Sequence, residues 1–309
     1  MTSAFAPPAD IWSDWILHHR SGDDPDDAVV RANLTRSADR VLDGAALGPD
    51  MVLADIGAGE GLVAFRAIER IGSSLQVILT DISPALQAHA EDLAIQRGVH
   101  GQCRFVAGPA DDLAPIADGS VDAVVTRAVL AYVTDKPAAL DAFHRILKPG
   151  GRLSLAEPAL HDEAFEVMAL KQRLEASAQA GEKPDRILEL MHRWKSAYYP
   201  DTPAAMANNP ITNTTERDLF RLVAAAGFAD THLELHLDAA ESRITSWKTF
   251  LDIAPHPWAQ PLRRLLAERF TAKERVVFEQ TLRPLVETQR LPATSRMIYV
   301  TATKPGAEQ

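Results

Sequence analysis

Three glycines at alternate positions, Gly57, Gly59 and Gly61, follow directly on a short apolar run that carries an acid, Asp55. The segment VLADIGAGEG therefore reads as a buried strand turning through a glycine-rich loop into a helix. Without Cβ atoms such a loop lets a ligand come close to the backbone, and the amide N–H groups at the helix start face it. A second acid, Asp81, closes the run QVILTD just ahead of Ser83-Pro84, a pair that starts helices. Further along, Arg127 and Tyr132 follow the run Val121–Thr126, and Glu157 and His161 follow Arg152–Ala156. Strand signals alternating with helix signals demand a parallel α/β sheet. Open sheets of that kind bind ligands beyond the carboxyl ends of their strands, so all these side chains are expected along one edge.

The spacing argues about the ligand. A dinucleotide site asks for G-x-G-x-x-G or a small residue at its sixth position, and here that position is Leu62 while the glycines run G-x-G-x-G. An acid two residues before the first glycine suits an ammonium group, and S-adenosylmethionine carries one. An acid placed like Asp81 suits two ribose hydroxyls.

The order of motifs carries a resemblance. VLADIGAGEG is followed by VILTDISPAL at 77–86, by GPADDLAPIADGSVDAVVTRAVLAYV at 108–133, and by LKPGGRLSLAEP at 147–158. In this order the chain resembles the class I S-adenosylmethionine-dependent methyltransferases that act on small molecules, over residues 46–160 and more weakly over 214–238 and 294–304. The resemblance implies a Rossmann-like, doubly wound seven-stranded sheet with a reversed last strand. It implies S-adenosyl-L-methionine held by Asp55, Gly57, Ala58, Gly59, Asp81, Ile82, Ala110, Asp111 and Arg127. Pro109 stands where these families often carry an acid near the adenine, so Asp111 or the backbone at Ala110 is expected to serve instead. Methyl transfer to oxygen, nitrogen, sulfur or carbon would proceed in line. Tyr132, Glu157 and His161 are the expected suppliers of a base where the acceptor needs one.

Around this core the chain divides into an N-terminal helical segment (1–45), the cofactor-binding core (46–160), a helical and aromatic insertion (161–213), a return to the core (214–238), a second insertion (239–292), and a last strand with its tail (293–309). In the first of these, Ile11, Trp12, Trp15 and Ile16 recur at helical spacing and read as packing, with His18, His19 and Arg20 beside them at a neighbouring cleft. Both insertions are expected to project over one end of the sheet as lids. Their aromatic residues suit an apolar acceptor or a cationic nitrogen.

Composition narrows the classes. With 309 residues and 46% hydrophobic content the chain can bury a large core. A net charge of −10 without a basic block opposes nucleic acid and anionic membranes as partners. No apolar run approaches the roughly 20 residues of a membrane helix, and the start MTSAFAPPADIW lacks signal-peptide regions, which points to the cytoplasm. Cys103 is the single cysteine, expected as a buried structural thiol, and no spacing of His and carboxylates reads as a metal site. A small-molecule acceptor is expected, and a homodimer stays open. Two other readings stand beside methyl transfer: an NAD(P)-dependent oxidoreductase, disfavoured by Leu62, and a cofactor-binding regulatory protein without turnover.

Overall fold

The computed structural model describes residues 10–20 and 27–306. The N-terminal segment contributes α1 (Ile11–Asp14), which runs on into a π-helical turn at Trp15–His19, and α2 (Asp27–Ala45). Residues 21–26 of the expected loop, and 1–9 and 307–309 of the expected termini, lie outside the described residues.

Strands β1 (Val52–Ile56), β2 (Gln76–Asp81), β3 (Cys103–Ala107), β4 (Val121–Arg127), β5 (Leu147–Pro158), β6 (Ala229–Glu241) and β7 (Pro292–Thr303) form one seven-stranded sheet in the order β3-β2-β1-β4-β5-β7-β6. Pairing is parallel from β3 to β5, and β7 runs antiparallel to both β5 and β6. The reversed last strand is therefore present. Strand order changes direction between β1 and β4, and the crevice at that point is where an open sheet of this type binds its ligand.

Inward-facing residues alternate along each strand, so the apolar runs serve two layers at once. Leu53, Val77, Leu79 and Val125 pack on one face against Val41 and Leu42 of α2 and against α3 (Leu62–Ile71) and α4 (Pro84–Gln96). On the other face Ile56, Ile78 and Val124 pack against α5 (Lys136–Ile146), through Leu140 and Phe143, and against Leu219 and Val223 further along the chain. Lys148-Pro149-Gly150-Gly151, turn-forming by residue type, lies inside the continuous strand β5, and the register with β4 shifts there between Val121 and Ala123.

The first insertion forms α6 (Leu160–Gln179), α7 (Arg186–Lys195) and α8 (Pro203–Ala207). The core resumes at α9 (Glu216–Ala225), started by a reciprocal capping box between Thr215 and Asp218. The second insertion forms α10 (Trp247–Asp252), α11 (Leu262–Arg269) and α12 (Ala272–Glu287). A third core unites them: Leu190, Trp194 and Tyr198 of the first pack with Leu251, Leu265 and Phe278 of the second. The two insertions thus bury one apolar interior between them.

Candidate active site

A cavity of about 290 Å3 opens beyond the carboxyl ends of β1, β2 and β4. Asp55, Gly57, Ala58, Gly59, Asp81, Ile82, Ala110, Asp111, Arg127 and Tyr132 all line it. Its floor is the glycine loop. Gly57 has φ +67, and a Cβ added there would lie 2.6 Å from Val129 Cγ2, so the loop leaves no room for a side chain. Gly57→Ala is expected to cost about 1–3 kcal/mol of stability, from the left-handed backbone and the clash together. Urea unfolding of the variant measures it.

The two acids are held differently. Asp81 is 8% exposed; its Oδ2 accepts from the Gly59 amide at 2.8 Å and its Oδ1 from the Ser83 amide at 2.9 Å. One carboxylate thereby joins the glycine loop to the start of α4. Burial raises its pKa, and the two amides oppose the rise. Asp55 is 1% exposed and accepts from the Ala64 amide at 3.0 Å, in the first turn of α3. Burial pushes its carboxyl up to about 7; Asp81 adds to the rise, while the Ala64 amide and the Arg127 guanidinium pull it down.

Near neutrality Asp55 is thus half protonated. A cationic ligand beside it favours the ionised form and so must release a proton on binding. The sign follows: a carboxyl raised to about 7 is mostly neutral at pH 6 and mostly charged at pH 7.5, so affinity for such a ligand rises with pH. The expected gain over that interval is roughly eightfold, and Asp55→Asn, which keeps the acceptor for Ala64, should abolish the pH dependence. Titration calorimetry in buffers of different ionisation enthalpy reads both the affinity and the released proton.

Arg127, at the end of β4, is anchored by α2, its Nε donating to Ser37 Oγ at 2.7 Å. Burial and the nearby Arg20 lower its pKa to about 10, so it remains a cation. Behind it Ala128 adopts φ +56, an uncommon backbone for alanine, and its amide donates to the Ala156 carbonyl at 2.7 Å. Glu157 accounts for the loop that follows. Its buried carboxylate accepts from the Val129 amide at 3.1 Å, the Ala131 amide at 2.9 Å and Thr126 Oγ1 at 3.2 Å.

Two expected site residues therefore stand elsewhere: neither Glu157 nor His161 lines the cavity. The lone pairs of Glu157 are taken by the loop between β4 and α5. His161 is 4% exposed on the first turn of α6, with Nε2 3.2 Å from Asp162 and 3.4 Å from Glu216, so it joins α6 to α9. Tyr132 does line the cavity, but burial raises its pKa further and keeps the phenol protonated at neutral pH, a donor rather than a base.

The roof comes from a part of the chain whose pattern reads as packing. Trp12, Trp15, Ile16 and Arg20 line the cavity, and Arg20 pairs with Glu60 of the glycine loop at 2.6 Å. The π-helical turn explains the choice of Arg20 over His19: the Arg20 amide reaches back to the Trp15 carbonyl at 2.8 Å, so the extra residue rotates Arg20 onto the cavity side. His19 does not line the cavity; its Nε2 lies 3.6 Å from Asp14, and its carbonyl accepts from the Ala254 amide at 2.9 Å. Trp15 Nε1 donates to the Ala254 carbonyl at 2.8 Å, and Asp10 bonds to Ser83. The segment is thereby fastened to the glycine loop, to α4 and to the second insertion. Trp258 from that insertion completes an edge-to-face trio with Trp12 and Tyr132, ring centres 5.5–5.8 Å apart. The sequence pattern gives Trp12 and Trp15 as packing, and helical spacing by itself does not separate a cavity wall from a core.

Among the described residues no group of His, Cys, Asp and Glu is arranged to hold a metal, and no helix is long and apolar enough to cross a membrane. Cys103 is half-buried in β3, its thiol raised to about 11 by burial.

Residues 54–155 match the family model described as a methyltransferase domain. The chain is 40% identical over 103 residues to the ubiquinone/menaquinone biosynthesis C-methyltransferase UbiE of Cellvibrio japonicus, an alignment covering 33% of this chain and 41% of that protein. It is 36% identical over 126 residues to the tRNA 5-carboxymethoxyuridine methyltransferase of Escherichia coli, covering 40% of this chain and 46% of that one. The chain thus spans less than half the length of these curated relatives. Among solved structures the cyclase SpnF superposes with a TM-score of 0.52 at 19% identity, over 94% of this chain and 89% of that one, a likeness of fold alone.

Proposed function

We propose that this chain, which matches a methyltransferase domain over residues 54–155, is a class I S-adenosylmethionine-dependent enzyme that transfers a methyl group to a small, flat, largely apolar acceptor of the hydroxylated aromatic kind. The observation that carries the reading is one cavity in which the glycine loop, two strand-tip acids and an arginine face a roof of indole and phenol rings.

The donor set fits S-adenosylmethionine. Asp55 suits the ammonium of the amino-acid tail and Arg127 its carboxylate. Asp81 suits the ribose diol, and the exposed Ile82 with Ala110 and Asp111 offers an apolar and polar border for the adenine. When bound, this cofactor supplies a methyl already activated by its sulfonium, so the protein's own work is alignment and exclusion of water. Trp12, Trp15 and Tyr132 supply flat walls against which a ring can lie. Tyr132, held protonated, can donate a hydrogen bond to an acceptor oxygen. Among the described residues neither Glu157 nor His161 lines the cavity, and of the carboxylates that do, Asp55, Asp81 and Glu60 are bonded to Ala64, to Gly59 and Ser83, and to Arg20, which favours an acceptor whose own ring carries the nucleophilic electrons.

The name of the Cellvibrio relative, a C-methyltransferase of quinone biosynthesis, supports an aromatic acceptor. The Escherichia relative is named for a tRNA uridine, and against that acceptor here stand the net charge of −10 and the aromatic roof. Calorimetry with S-adenosylmethionine, S-adenosylhomocysteine and NAD tests the cofactor: binding of NAD in preference to the other two overturns the reading. Release of S-adenosylhomocysteine in the presence of hydroxylated aromatics, aliphatic amines, thiols or tRNA tests the acceptor. Turnover with tRNA, and none with any ring compound, overturns the proposed class.

A further inference from the structure

The last strand in the sheet order, β6, has thirteen residues and ends the sheet on that side; among the described residues nothing pairs with its outer edge. A long open edge is a template for another strand unless it is covered or interrupted. β6 is interrupted only at its start, where the register with β7 shifts between Ala229 and His232 and Asp230 takes φ +49. From His232 onward the strand is regular, with paired residues to Glu241.

Its side chains alternate. Leu233, Leu235 and Leu237 share one face, and His232, Glu234, His236 and Asp238 share the other. Leu233 packs on the core that includes Leu219 and Val223 of α9. The helix covers no more of that face: Leu235 is 37% and Leu237 57% exposed, and Phe220 of α9 is 41% exposed. On the polar face Glu234 is bonded by Arg40, by His232 at 3.2 Å and by His236 at 2.8 Å, each imidazole using Nε2.

We propose that β6 pairs edge to edge, antiparallel, with β6 of a second copy of this chain, about a two-fold axis through Leu235. An isologous contact of this kind must be complementary to itself, and this strand is so in one register. With Leu235 opposite its own copy, Leu233 faces Leu237 of the second copy, Glu234 faces His236, and His232 faces Asp238. Moving the axis to Glu234 sets that carboxylate against itself, and moving it to His236 sets Glu234 against Asp238. Moving it to Leu233 sets Leu235 against Thr231 and Leu237 against Ala229, forfeiting the leucine pairs. The register at Leu235 is the one that sets all three leucines against leucine while pairing both Glu234 and Asp238 with imidazoles, and cross-strand pairs of both kinds stabilise a sheet. The edge is then buried, and the exposed leucines become one apolar strip across the axis.

The test needs only the intact protein. Sedimentation equilibrium at micromolar concentrations is expected to find a dimer. Leu235→Lys should leave a folded monomer, checked by its thermal melt. His236→Glu, which opposes Glu234 at both symmetric positions, should weaken the dimer about tenfold, and the swap Glu234→His with His236→Glu should restore it. In a Cys103→Ser background, Leu235→Cys should give a cross-linked dimer under mild oxidation, since residues directly opposite stand within disulfide reach. Leu237→Cys should not, because its own copy is then four positions away, about 13 Å along the strand. A monomer at every concentration overturns the proposal. So does a dimer that survives Leu235→Lys and fails to cross-link at position 235.

Discussion

Asp81→Asn is expected to weaken binding of S-adenosylhomocysteine about 100-fold. Both oxygens of Asp81 already accept from backbone amides, Gly59 on one side and Ser83 on the other. An asparagine must turn its amide nitrogen toward one of those N–H groups, so the substitution opposes donor to donor and displaces either the glycine loop or the start of α4. In the proposed reading it also removes the charge that would strengthen hydrogen bonds to the two ribose hydroxyls. Hydrogen bonds to a charged group contribute about 1.5–3 kcal/mol each, and losing about 3 kcal/mol is a factor of about 100. Calorimetry on the variant, with its ligand-free melting temperature as a control for folding, gives the answer. An affinity within threefold of the parent would remove the nucleotide from the tip of β2.

The positions behind this expected loss are legible in the sequence itself, for a physical reason. Asp81 and Arg127 close apolar runs and Asp55 stands one residue from the end of another, and in a parallel sheet the end of a run is the carboxyl edge. Local pattern and tertiary placement coincide there. The same holds for the helix starts at Ser83 and Thr215, whose side chains cap as their types dictate. The roof is not legible in this way. Trp12 and Trp15 sit at helical spacing, which serves a core and a cavity wall equally well, and only the extra residue of the π-helical turn decides which side Arg20 takes. Nor does any local signal bring Trp258 to Tyr132 across more than a hundred residues.

Glu157 shows the limit most sharply. A carboxylate just past a strand tip has the right address for chemistry, yet what it does depends on which backbone donors lie beside it. Here the loop after β4 bends back through Ala128 with φ +56 and turns the amides of Val129 and Ala131 toward the carboxylate. A buried donor left alone costs about 1–3 kcal/mol, so the sequence must supply an acceptor at that spot. Glu157 meets the need, and Thr126 Oγ1 donates to the same carboxylate.

From that geometry follows the second large effect. Glu157→Gln keeps the volume but offers one acceptor oxygen in place of two, and its amide nitrogen faces N–H groups that have nowhere else to turn. The expected cost is about 3 kcal/mol, a fall in melting temperature of roughly 5–10 °C for a chain of this size. The loop it clamps carries Val129 and Tyr132 into the cavity, while Asp81 and the glycine loop hold their places through bonds of their own. Binding of S-adenosylhomocysteine should therefore change less than threefold, and kcat with a competent acceptor should fall at least tenfold. A base acting directly on the acceptor would give a different signature, namely loss of kcat with the melting temperature unchanged and a pH–rate profile that loses one limb. Measuring melting temperature, cofactor affinity and kcat on the one variant separates a carboxylate that positions the loop from one that takes a proton.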